Sequence, residues 1–172
     1  MRAAVTTDAH GFEIVELPDP TPDADQLVIR VTACGVCGSD IKAQPFAPAG
    51  MVMGHEFGGE IVGAVSHCPS ASYLGMGPAG GFAEYAAVPA RHAFAVPAEL
   101  STVYSALVEP FAVGLHAVRS AEITTGDGVL IVGAGGVGLT TLVWVCGTAG
   151  PASRWPIPTR SDVRRPPHWV RM

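Results

Sequence analysis

Residues 128–144, GVLIVGAGGVGLTTLVW, constrain what this chain can fold into more than any other stretch. A run of aliphatic and β-branched residues meets Gly133, Gly135 and Gly138, spaced G-x-G-x-x-G, and continues as an apolar helix. Buried strand, glycine turn and helix, in that order, open a parallel-sheet α/β unit that binds a nucleotide. The glycines permit a tight turn and close approach of backbone to a pyrophosphate, whose charge the helix N-terminus favours. Gly133, Gly135, Gly136, Val137 and Gly138 are therefore the candidate cofactor cradle. The same pattern calls for a second strand about 20 residues on, ending in an acid that holds a ribose. Residues 152–160 read ASRWPIPTR, with neither strand nor acid.

Composition separates that last stretch from the rest. The chain has 172 residues, 48% apolar, enough for one compact core and part of a second. Residues 1–150 carry a formal charge of −9 and residues 151–172 carry +4, and five of the fifteen prolines fall in the short basic end. Such a segment is expected to be disordered, and without a folded reader its arginines do not argue for nucleic acid. No apolar run reaches the ~20 residues that cross a bilayer, and MRAAVTTDAHG shows no secretory h-region. Cys34, Cys37, Cys68 and Cys146 are irregularly spaced, which suits a cytoplasmic chain with thiols available for metal better than a disulfide framework.

Before the glycine unit the chain reads as β-rich. FEIVEL (12–17), QLVIRVTAC (26–34), GGEIVGAV (58–65) and GGFAEYAAVP (80–89) are strand candidates bounded by turn residues. From Ser101 the spacing becomes helical, with an interruption expected near Pro110. The expected division is a β domain over 1–100, linking helices and the start of the nucleotide domain over 101–147, and a tail over 148–172.

Two short phrases carry metal chemistry. ACGVCGSDIK (33–42) supplies Cys37 as a thiolate, and GHEFGGE (54–60) supplies the His55 nitrogen and the Glu56 oxygen. A catalytic zinc takes three such ligands and leaves one position open. Asp40 is placed to fix a ligand imidazole in one tautomer. The spacing alone equally allows Cys34 and Cys37 to be two buried thiols and His55 an ordinary loop histidine.

GVCGSD, GHEFGGEIV, GGFAEYAAVPA, VEPFAVGLHAV and VLIVGAGGVGL occur in that order over residues 1 to about 144. Together they resemble the zinc-dependent medium-chain alcohol and polyol dehydrogenase family, near its sorbitol, butanediol and threonine dehydrogenase branch. The resemblance implies a GroES-like β barrel holding one catalytic zinc, followed by a Rossmann-type domain holding NAD or NADP. It implies Cys37, His55 and Glu56 as zinc ligands, with Glu109 closing the site directly or through water. Ser39 matches the hydroxyl that passes the alcohol proton outward, and Asp40 matches the carboxylate behind the ligands. Glu109 also reads as a helix-terminal carboxylate, and Ser39 as a loop-capping serine. His92 and His116 lack metal-motif context, and Phe57, Phe82 and Tyr85 read as packing residues. The implied substrate is a small secondary alcohol or polyol, and the family is typically homo-oligomeric.

Two departures from the pattern qualify this. Between Val65 and Ser66 the family's G-D-R-V strand and four-cysteine lobe are missing, leaving Cys68 as an orphan. No structural zinc is expected, and the barrel should be incomplete with an exposed edge. The tail is the second departure. Trp has one codon, so in the shifted frame Trp155-Pro156 forces Ala, His168-Trp169 forces Leu and Trp169-Val170 forces Gly. All three fit a family-like continuation, V-T-V-A-D onward, so a frameshift near Val145 is the expected origin of the basic end. Three readings follow: a zinc- and NAD(P)-dependent dehydrogenase, truncated and weakly active; a non-enzymatic remnant that binds zinc or docks on an intact subunit; and a zinc-free reductase, against which Cys37, His55 and Glu56 argue.

Overall fold

The computed structural model describes residues 1–64 and 80–149. Cys68, the junction after Val65 and the tail from residue 150 lie outside the described residues, and so do the expectations placed on them. The chain divides into two compact units, Met1–Val108 and Glu109–Met172.

The first unit is β-rich. Strands β1 (Arg2–Thr6) and β2 (Phe12–Glu16) pair antiparallel, with Arg2 opposite Glu16 and Thr6 opposite Phe12. β3 (Gln26–Gly35) is the centre of a second sheet, flanked by β4 (Glu56–Ala64) and β5 (Tyr85–Pro89), both antiparallel to it. The β3–β4 register shifts between Val28 and Ile29 and again between Val31 and Ala33, bulges that add twist to a curved sheet. β1 also makes single bridges to segments outside the second sheet's strands: Ala3 with Ala83, just ahead of β5, and Val5 with Val52, ahead of β4. Beneath them Ala3, Val5 and Val52 form a buried cluster on which Val15, Leu17, Phe82 and Ala83 pack.

Only half of the apolar phrase 80–89 is a strand. The Gly81 and Phe82 amides donate to the Gly54 and Met53 carbonyls, and the Ala4 amide donates to Phe82, so 80–84 crosses between sheets before β5 begins. β4 is an outer strand among the described residues, and its Ile61 and Val62 are 61% and 51% exposed. Whether β4 gains a further neighbour falls on residues 65–79, outside the described residues.

Helix α1 (Gly38–Ala43) follows β3, and the short α2 (Thr102–Ser105) closes the first unit. The helical break falls at Ala106–Leu107, ahead of Pro110, which sits in the first turn of α3 (Val108–Ser120). Proline is tolerated there because its missing N–H would have no partner within the helix.

In the second unit α3 packs on α4 (Gly136–Ala149). Val118 and Val145 are buried, Ile123, Val129, Ile131 and Trp144 surround them, and the Trp144 indole donates to the Phe111 carbonyl at 2.8 Å. The Thr140 hydroxyl donates to Pro110. Val129 and Ile131 of the apolar run 129–132 pack into this cluster, yet the run forms no ladder with any strand among the described residues. The helix of the expected βα unit is present, while residues 129–132 form no strand among the described residues.

Candidate metal centre

The site lies where β3 ends and β4 begins. Antiparallel pairing sets Gly35, the last residue of β3, opposite Glu56, the first of β4. The chain leaves β3 through Val36 and turns at Cys37, whose extended backbone (φ −75°, ψ 152°) caps α1. One strand end thus delivers a thiol and the neighbouring strand start delivers His55 and Glu56. The ligand atoms of Cys37, His55 and Glu56 all lie within 4.8 Å of one another, each on a half-buried residue.

This donor set fits zinc. Bonds of 2.0–2.3 Å in a tetrahedron separate ligand atoms by roughly 3.3–3.8 Å, so contraction by about 1 Å brings the three into bonding range. Thiolate, imidazole and carboxylate are also the ligand types zinc accepts with one position left open.

Asp40 stands behind the ligands. Its side chain is 4% exposed; one oxygen accepts from the Cys37 amide at 2.9 Å, and the other lies 3.3 Å from His55 Nδ1. A carboxylate at Nδ1 holds the proton there and leaves Nε2 as the lone-pair nitrogen. The sequence reading anticipated the histidine contact. It missed the link to the Cys37 backbone, although an acid three residues after a helix cap is a recognisable signal.

Cys34 is a poor candidate for a fourth ligand. Burial, with the negative charges of Asp40 and Glu56 adding to it, pushes its thiol up to about 12. Its Sγ lies 3.4 Å from the Gly35 carbonyl. Ser39 is exposed on the first turn of α1, beside Asp40 in the chain. Glu109 belongs to the second unit, in the first turn of α3. Among the histidines set aside, His116 Nε2 lies 3.4 Å from the Ser120 hydroxyl on an exposed face of α3. Phe82 packs on the first core and meets Phe12 edge to face at 6.0 Å, as a packing residue should.

The glycine turn has the geometry its spacing implies. Gly133 takes φ +115°, and a Cβ on Gly138 would sit 2.2 Å from the Gly133 carbonyl oxygen, so neither position accepts a side chain without strain. Gly136, Val137 and Gly138 open α4, and their amides precede its first internal bond, from the Leu139 amide to Gly135.

Residues 23–71 match the family described as alcohol dehydrogenase GroES-like domain. The chain is 36% identical to L-galactonate-5-dehydrogenase of Escherichia coli K12, over 70% of this chain and 45% of that protein. It is 31% identical to (R,R)-butanediol dehydrogenase of Bacillus subtilis 168, over 83% of this chain and 54% of that protein. Among solved structures, a zinc-binding dehydrogenase of Sinorhizobium meliloti 1021 with bound NADP superposes with a TM-score of 0.82 at 26% identity, covering 94% of this chain and 57% of that one. The chain spans about half the length of the relatives it matches.

Proposed function

We propose that this chain is a member of the zinc-dependent medium-chain alcohol and polyol dehydrogenase family, that it holds a catalytic zinc through Cys37, His55 and Glu56, and that it serves hydride transfer between a secondary alcohol or polyol and NAD(P). The observation that carries this is the convergence of three ligand atoms within 4.8 Å, with the Asp40 carboxylate behind them. When bound, zinc supplies Lewis acidity to the alcohol oxygen and the nicotinamide supplies the hydride acceptor. Asp40 keeps His55 in the ligating tautomer. The Ser39 hydroxyl accepts the alcohol proton and passes its own to water, a role its exposure supports. Glu109 carries the family's acidic position, on the strength of the VEP motif. The amides of the Gly133–Gly138 turn receive the cofactor's pyrophosphate. The names of relatives that act on galactonate and butanediol support a substrate with a secondary hydroxyl.

Zinc analysis of the purified chain tests the site. About one zinc per chain, lost on Cys37→Ser, is the expected result; a folded, metal-free protein would sink the assignment. A second reading, zinc binding without turnover, is favoured by the run 129–132, which pairs with no strand among the described residues. Alcohol-dependent reduction of NAD or NADP by the zinc-loaded chain excludes that second reading.

A further inference from the structure

Gly35 has no conformational need to be glycine. Its φ is not positive, it ends a regular strand, and glycine in a strand costs stability through backbone entropy. What it lacks is room. A Cβ at Gly35 would lie 2.2 Å from Glu56 Oε2, 3.1 Å from Glu56 Cβ and 3.3 Å from its Cδ. The Glu56 side chain is folded across the end of β3, in the volume a side chain at position 35 would fill. Gly38, three residues on, has nothing within 4 Å of the same point.

We propose that Gly35 is a positioning residue of the metal centre: its missing side chain is the space through which the Glu56 carboxylate reaches Cys37 and His55. The inference rests on the metal-site reading above. The nearest clashing atom is the end of a flexible side chain, whereas the backbones of β3 and β4 are held by their ladder. An added methyl therefore moves the carboxylate and leaves the sheet in place. The carboxylate then swings away from two partners that already stand up to 4.8 Å off, beyond what an ion can draw together.

The test is cobalt(II) titration of the full chain, read by the d–d absorption that reports ligand number and by the thiolate-to-cobalt band that reports Cys37. Wild type, Gly35→Ala, Gly38→Ala, Glu56→Ala and the Gly35→Ala/Glu56→Ala double variant are compared. Wild type and Gly38→Ala should bind about one cobalt with equal affinity. Gly35→Ala should keep the thiolate band, change the d–d intensity and bind roughly 10–100-fold more weakly. In the Glu56→Ala background the Gly35 substitution should have no further effect, because the displaced group is gone. Wild-type affinity in Gly35→Ala overturns the proposal, and so does an undiminished effect in the Glu56→Ala background. Should Gly35→Ala lower the melting temperature of the metal-free chain, Glu56→Ala should restore it; equal loss in both backgrounds also overturns the role. Absence of cobalt binding in wild type is a different failure, which removes the metal site itself.

Discussion

At Asp40 one buried carboxylate accepts from the Cys37 amide and faces His55, so it fixes the Cys37 backbone and the His55 ring together. The two roles separate by substitution. Asp40→Ala leaves a buried amide without its acceptor and should cost about 1–2 kcal/mol in urea unfolding. Asp40→Asn keeps an acceptor and most of that stability, yet loses the charge that favours the ligating tautomer. Both variants should bind cobalt roughly 10–100-fold more weakly. Equal stability in the two, or unaltered metal affinity in Asp40→Asn, would contradict this division. Cys34 gives a second prediction. With its thiol pushed up to about 12, it stays protonated at pH 8, while Cys146 is exposed. Iodoacetamide at pH 8 should modify Cys146 and spare Cys34, with Cys34 labelling rising as pH approaches its thiol range; peptide mapping reads both. The three candidate ligands could be named from sequence because their side chains carry the chemistry. Gly35 was not, because a missing side chain leaves no chemical signal and matters only through what lies opposite it.

At the scale of elements, β3 and β4 were readable to within two residues because both are long apolar runs in one ladder. β1 went unread: RAAVT is alanine-rich, poor strand material by composition, and its strand character comes from pairing with β2 and from Ala3 and Val5 entering the core. The first strand is tied onward by a side chain. Arg2 donates through its amide, Nε and Nη2 to the Glu84 carboxylate, and these bonds hold Glu84 below the usual glutamate range. A depressed folded pKa contributes stability above the ordinary glutamate value, and that contribution is lost as pH falls through the lower folded value. The urea midpoint should therefore fall as pH drops below the ordinary glutamate range, and Glu84→Gln should flatten part of that fall. The pair is exposed, so the effect is small and shrinks at high salt. The glycine turn fared differently. Gly133 takes a positive φ and a Cβ at Gly138 would meet the Gly133 carbonyl, but a parallel strand is held by neighbours the pattern itself does not supply, and 129–132 has none among the described residues. A cofactor cradle needs that brace to hold its amides still. Titration with NAD or NADP should show no saturation below about 1 mM, and a micromolar Kd would mean the turn is ordered by other means.

For the molecule as a whole, both units leave apolar surface uncovered. Ile61 and Val62 are exposed on the outer strand β4, and Val132, Leu139 and Val143 are exposed beside the unpaired run of the second unit. Scattered surface aliphatics mean little, but Ile61 and Val62 lie on a strand with no second neighbour among the described residues, and an open edge of that kind acts as a template for another chain. The charge is poorly placed to prevent it: Glu60 is drawn into an ion pair with Arg30 of β3, so the outer strand's nearest acid is already engaged. No helix among the described residues is long and apolar enough to cross a membrane, so the exposed surface is not that of a spanning helix. The expected outcome is association that grows with concentration, seen as a rising weight-average sedimentation coefficient. Ile61→Lys places a charge on the β4 edge without touching the buried clusters, and it should lower that association while leaving circular dichroism unchanged. Leu139→Lys does the same for α4, and the larger of the two effects identifies the dominant edge. A monomer that stays monodisperse across the same concentrations would show that neither edge governs the behaviour of the chain.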